Sequence, residues 1–448
     1  MTESVRRGYG RTWVVCALAV LLAATVASKP AAQVPQGVET FDAAWRIIRD
    51  SHFDKTLNGV NWEAVSTELR PKAVSARTAG ELRAVIRDML GRLGQSHFAL
   101  LPATADSADD KPKDLGGTPG FDVRLLGADL VVTEVDASGG AAAAGVRTGW
   151  KVQSIDGASA VTLLAALPES LEPRLRQVEA WRLAHTRLRG PAGSHAAVSF
   201  EDGNGSTTVL EIERRFDAGQ PVTVGNLPTM FVRVRSSRVT TPAGRTAGII
   251  GFNVWMTAVD PLFQQAVDEY RAADGIVIDL RGNPGGLAAM MMGISGHFID
   301  ERKALGVMKT RDGELRFFAN PRRVNARGER VQPFAGPVAI LVDSLSGSAS
   351  ECFAGGMQSL GRVHVFGQQS MGQALPALFA RLPNGDVLIH AYGDFVTADG
   401  TRLEGRGVVP DQVVPLDRTQ LLAGRDKTLE AALAWFDTVP GARTVRSR

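Results

Sequence analysis

The chain has 448 residues, 44% of them apolar and 22% charged, ordinary globular proportions that allow two or three domains with a sizeable core. A formal net charge of +3 at pH 7 implies neither an acidic nor a basic partner. No run of Lys and Arg beyond a pair or so offers a nucleic-acid surface.

Residues 1–27 read as a secretory signal peptide. Arg6, Arg7 and Arg11 precede the apolar run Trp13–Leu22, and the small residues that follow, ending at Ala27, form an exit. The run is too short and too Ala-rich for a membrane span, which makes a retained anchor the lesser alternative. Cys16 lies inside the run rather than at its end, against a lipoprotein site, and the residues after the paired arginines give little support to a twin-arginine signal. Cleavage near Ala27 removes three arginines and Glu3, taking the charge from +3 to +1. It also leaves Cys352 as the sole cysteine, so the mature chain has no internal disulfide and is held by its core. A periplasmic or secreted protein is expected.

Residues 36–102 read as a helical region. Phe41, Ala44, Trp45 and Ile48 share one face at helical spacing, as do Leu82, Val85, Ile86, Met89 and Leu93 farther on. Thr78 and Glu81 have the spacing of a capping box, and the second helix is expected to end at Gly94. The polar stretch 103–116 reads as a linker. Short apolar segments punctuated by glycine then predict a β-rich domain over 117–215, with a helical insert around 160–188. From 223 to 448, strands such as GIVIDLRG alternate with helical patterns such as ASECFAGGMQSLG, which predicts α/β layers on a partly parallel sheet.

Three short stretches carry chemistry. In LVDSLSGSASECFAGGMQSLG, residues 341–361, an apolar strand stops at alternating Ser346, Ser348 and Ser350 and feeds a helix. A serine there meets the free amides and positive end of a helix, which suits a nucleophile; locally, simple N-capping by Ser348 or Ser350 explains it as well. In IVIDLRGNPGGL, residues 276–287, a buried strand ends in a turn whose adjacent Gly285 and Gly286 let a backbone approach a ligand. The turn is not a dinucleotide fingerprint and no phosphate-binding Lys follows it. In GQSHFAL, His97 follows Ser96 on a loop after a helix, and it needs a partner before it counts as a base. The remaining histidines show no metal-ligand spacing, and no cofactor motif is present.

Together these stretches resemble the serine peptidase superfamily of C-terminal-processing (tail-specific) and tricorn proteases, over nearly the whole mature chain. Ser346-Gly347-Ser348-Ala349-Ser350-Glu351 is similar to the family's signature, with Ser348 in the nucleophile's place, and Asp279 to Gly286 is similar to its oxyanion-hole turn. The processing proteases use a Lys base, but here Gln373, in Ser370-Met371-Gly372-Gln373-Ala374, stands in its place, and an amide cannot accept a proton at neutral pH. The tricorn branch uses a Ser-His pair and a downstream Glu, and Ser96, His97 and Glu404 are similar to those.

The resemblance implies Ser348 as nucleophile, His97 as base, and Ser96 and Glu404 as its orienting partners. It implies an oxyanion hole from the Ala349 amide with that of Gly285 or Gly286, Glu351 as structural support, and Cys352 as inert packing. It also implies a crotonase-like ββα spiral core within an α/β (α+β) chain. The inserted β-rich domain resembles PDZ, with Gly117, Thr118, Pro119, Gly120 and Phe121 as the carboxylate-binding loop for a peptide tail. The expected partner is a protein or peptide substrate, with homo-oligomerisation open. A catalytically inactive PDZ-containing scaffold is the alternative. An acyl-CoA enzyme sharing the core topology is disfavoured by the signal peptide.

Overall fold

The structure, a computed structural model, describes residues 37–103, 116–223 and 229–440. The signal-peptide segment 1–27 and nearly all of the 103–116 linker lie outside the described residues. Among the described residues no helix is long and apolar enough to cross a membrane.

Three helices open the chain: α1 (Gly37–Ser51), α2 (Trp62–Ser75) and α3 (Ala79–Gly91). Phe41, Ala44 and Ile48 of α1 and Leu82, Ile86 and Met89 of α3 are buried together, as the 3–4 spacing requires. Two indoles clasp α1 to α2: Trp45 Nε1 donates to the Trp62 carbonyl (3.0 Å) and Trp62 Nε1 to the Trp45 carbonyl (3.1 Å). Thr78 Oγ1 accepts from the Glu81 amide at 3.1 Å, but the Glu81 carboxylate reaches the Arg77 amide (2.7 Å), so half of the expected capping box forms. Helix α3 stops at Gly91, and the chain turns through Gly94 into a strand, β1 (Ala99–Leu101), inside a stretch read as helical.

The next unit is an antiparallel sheet of β2 (Phe121–Leu126), β3 (Asp129–Val135), β4 (Lys151–Ile155), β5 (His195–Glu201) and β6 (Thr207–Glu213), paired in that order. Helix α4 (Pro173–Leu188) lies along β2 and buries Ala180, Ala184 and Leu188 against Phe121, Val123 and Phe200. Strand β2 is thus an edge strand with a helix beside it.

The remainder is built on a six-stranded sheet. β7 (Val234–Thr240) pairs antiparallel with β8 (Thr246–Phe252). Parallel pairing then runs through β9 (Gly275–Asp279), β10 (Val338–Val342) and β11 (His364–Gly367). After β11 comes an antiparallel hairpin, β12 (Ala377–Arg381) and β13 (Val387–Ala391), before β14 (Gln412–Val413) closes the large sheet beside β11. Every residue of β10 is buried, because both faces of the sheet are covered. Ile250, Ile276, Ile278 and Ile340 pack under α5 (Val259–Glu269) and α6 (Ala349–Ser359). Ala247, Val277, Ala339 and Leu341 pack under α7 (Lys427–Thr438) on the other side. This is the α/β architecture expected from the alternation of patterns. Strand β13 also pairs with β1, in a three-stranded sheet of order β1-β13-β12, which brings the residues after α3 onto the core. The loops that leave β9 and β10 emerge together at the carboxyl ends of adjacent parallel strands, where open α/β sheets bind ligands.

Candidate active site

The loop after β10 sorts its three serines. Ser346 Oγ donates to the Leu280 carbonyl (2.7 Å) and accepts from the Asp343 amide (3.0 Å). Ser350 Oγ donates to the Asn283 carbonyl (3.0 Å) and accepts from Trp255 Nε1 (2.8 Å). Both are buried and hold the β10 loop to the β9 loop. Ser348 is half-buried and stands at the N-cap of α6 with φ 51° and ψ −115°. An ordinary N-cap sits in the β region. A serine held at positive φ is strained, and such strain clusters at functional sites.

His97 is the second strained residue of interest, at φ 60°. Its Nδ1 lies 2.7 Å from Ser96 Oγ, and Ser96 Oγ lies 2.8 Å from Glu404 Oε2. A carboxylate only accepts, so the one proton of the Ser96 hydroxyl goes to Glu404. The hydroxyl must therefore accept from His97 Nδ1–H. That fixes the tautomer and leaves Nε2 as the proton acceptor. Glu404 is buried and also takes the amides of Ser96 and Ala374, each at 2.9 Å. Burial pushes the His97 imidazole down to about 4, so it is neutral at pH 7.

A dipeptide joins the two strained residues. The Gln373 carbonyl accepts from the Ser348 amide at 2.9 Å, and the next amide, Ala374, donates to Glu404. Ser348 and the His97–Ser96–Glu404 chain therefore stand on two sides of Gln373–Ala374. Glu351 fastens this arrangement. Its carboxylate accepts from the amides of Ser348 (3.1 Å), Gly372 (2.6 Å) and Gln373 (3.0 Å) and from Ser370 Oγ (2.5 Å). Burial raises its pKa to about 7 while those four donors pull it back. Cys352, one residue on, is buried, and burial carries its thiol well above the usual range, as suits packing rather than chemistry.

The oxyanion-hole candidates separate. Gly285 presses against Ser348: at φ 107°, a Cβ there would lie 2.6 Å from Ser348 Cβ, so only glycine fits. Its amide, however, donates to Asn283 Oδ1 at 3.0 Å. This corrects the expectation that either glycine could supply the donor. Among the described residues the amides of Gly286 and Ala349 donate to no acceptor.

In the inserted domain, Gly117 exchanges backbone bonds with Gly190, and Gly117–Thr118 pair with Arg215–Phe216. The carbonyls of Pro119 and Gly120 accept from Ala141 and Asp136, and Phe121 opens the edge strand β2. A polar relay runs from here to the loops after β9 and β10. Trp181 Nε1 on α4 donates to Asp122 Oδ1 (2.8 Å), and Asp122 Oδ2 accepts from Arg124 Nη1 (2.6 Å). Buried Arg124 pairs with Asp343 at 2.8 Å, and Asp343 Oδ1 accepts from the amides of Gly282 and Leu345. A cleft of about 600 Å³ beside this relay contains Arg124, Asp343, Arg281 and Asp426 but neither Ser348 nor His97.

Residues 246–414 match the family model described as peptidase family S41, and residues 38–91 match the tricorn protease C1 domain. Residues 246–414 thus carry a peptidase family S41 domain. This serine peptidase is 23% identical over 382 residues to a carboxyl-terminal-processing protease of Picosynechococcus, covering 83% of the chain and 82% of the relative. It is 24% identical to one of Synechocystis, covering 87% and 84%, and to a chloroplastic carboxyl-terminal-processing peptidase of Arabidopsis thaliana, covering 83% and 68%. The peptidase shares its fold with the photosystem II D1 C-terminal processing protease (TM-score 0.56, 22% identity, 86% and 94% coverage). It also shares it with mature CPAF (TM-score 0.58, 13% identity, 89% and 95% coverage).

Sequence reasoning treated Gln373 only as a missing base, and its backbone instead bridges the two halves of the peptidase's site. It also passed over Arg124, Asp343 and Asn283. Asn283 stands between Gly282 and Gly285 in the turn already singled out, which is the signal that could have found it. The link from Arg124 to Asp343 carries no local signal, because the two lie 219 residues apart.

Proposed function

We propose that this peptidase is an exported endopeptidase in which Ser348 attacks the scissile carbonyl and His97 serves as its base. The observation that carries the reading is the Ser96 hydroxyl set between His97 Nδ1 and Glu404 Oε2, which leaves Nε2 unprotonated. Nε2 takes the Ser348 proton as Oγ bonds to the carbonyl carbon, and the carbonyl electron pair moves onto oxygen. The amides of Gly286 and Ala349 receive that oxyanion. The imidazolium keeps Nδ1–H on Ser96, whose own proton faces Glu404. It then protonates the leaving amine, and water deacylates the serine by the same route.

The inserted domain captures a substrate's carboxyl-terminal tail. Supporting this are the edge strand β2, the helix α4 beside it and the loop 117–121 at its start, the parts a strand-addition site uses. The Trp181–Asp122 bond ties that helix to that strand. The test is hydrolysis of β-casein by the wild type, Ser348→Ala and His97→Ala. Each substitution should lower kcat by about 10²-fold or more. Unchanged turnover in either would exclude the pair. A peptide substrate with an amidated C-terminus should show a higher KM than its free-acid form; equal values would exclude tail capture.

A further inference from the structure

The hairpin strand β12 begins four residues after Gln373 and ends the sheet β1-β13-β12, so one side of it is unpaired among the described residues. The register shows which groups face out. Tyr392 N donates to the Pro376 carbonyl and Leu382 N to the Asp386 carbonyl, so the residues bonded to β13 are the even-numbered ones, 376 to 382. The amides and carbonyls of Ala377, Phe379 and Arg381 therefore point away from β13. Large apolar side chains accompany this open edge: Leu378 is 46% and Phe379 55% exposed. Exposed edges are usually blunted by charge, proline or a covering element. Here the strand is open and, apart from Arg381 at its far end, apolar, and it runs directly out of the loop that holds Ser348. The opposite edge, β1, has a single outward residue, Leu100, and its side chain is buried.

We propose that an extended, apolar stretch of the polypeptide substrate docks on the free edge of β12 as an added strand. Outward amides and carbonyls two residues apart match the repeat of an extended chain, and Leu378 and Phe379 offer apolar contact to its alternate side chains. This rests on the Ser348–His97 reading, since the edge matters by leading a chain to that serine. It is separate from tail capture, which occurs on β2.

Phe379→Pro tests it, because proline deletes an outward amide and leaves the β12–β13 ladder whole. Two readouts are taken on the full chain: labelling of Ser348 by a small fluorophosphonate, and KM for β-casein. The variant should label at the wild-type rate, while KM rises about tenfold with kcat nearly kept. Phe379→Ala, which retains the amide, should show a smaller rise. If Phe379→Pro fails to label, Arg381→Pro replaces it, with the same readouts. An unchanged KM in a proline variant that labels normally overturns the proposal. So does a wild type that labels but does not cleave casein. A wild type that does not label at all instead removes the catalytic reading beneath it.

Discussion

In the proposed mechanism Ser96 decides the chemistry of the site, because one hydroxyl proton orders the whole chain of acceptors. Its loss and the loss of Glu404 should differ. Ser96→Ala removes a hydrogen bond worth about 0.5–1.5 kcal/mol, so kcat/KM should fall by up to about tenfold. Glu404→Gln should cost more. The new amide nitrogen can donate to Ser96 Oγ, turn the hydroxyl toward His97 and favour the tautomer with its proton on Nε2. Steady-state cleavage of β-casein checks the order, and a greater loss from Ser96→Ala would contradict the tautomer argument. The same scale shows the limit of the sequence. Ser346, Ser348 and Ser350 alternate among small residues with no local difference in chemistry. What separates them is backbone strain at one and carbonyls some 67 residues distant at the others.

At the scale of elements, the long helices were legible because burying one face imposes a 3–4 spacing, as Phe41, Ala44 and Ile48 show. Strands β1 and β12 were not. Three and five residues are too short to show a period, and β1 pairs with a strand nearly 290 residues later. Nor did any pattern announce that β2 is tied to the β10 loop through Arg124 and Asp343. Arg124→Ala leaves Asp343 buried and unpaired beside the amides it orients, a loss of about 3–5 kcal/mol. Fluorophosphonate labelling in rising urea should therefore fail at a clearly lower concentration than in the wild type. A coincident midpoint would show that the relay does not hold the loops.

For the whole molecule, the alternation of strands and helices was readable because a sheet covered on both faces needs continuous apolar strands such as Val338–Val342. Its polar flaws were not readable. His297 is fully buried against Phe263 and Phe298, and neither ring nitrogen has a partner among the described residues. Burial lowers its pKa to about 3. The unfolded chain binds that proton near pH 6.5 and the folded one only near 3, so this contribution to stability is full above pH 6.5 and is lost as pH falls through that window. His297→Leu should flatten the fall in unfolding free energy between pH 6.5 and 4, measured by urea denaturation. An unchanged slope would place the titration elsewhere. Glu351 acts in the opposite sense: its raised pKa gives stability that is present below about pH 4.5 and lost as pH rises through 7.

All three scales meet at one hydroxyl, and its reactivity can be read from the mass of a single peptide. After exposure of the wild type to a fluorophosphonate at pH 7, digestion and mass spectrometry should find the adduct on Ser348, with none when His97 is alanine. An adduct on another serine, or labelling of Ser348 that persists undiminished without His97, would contradict the account.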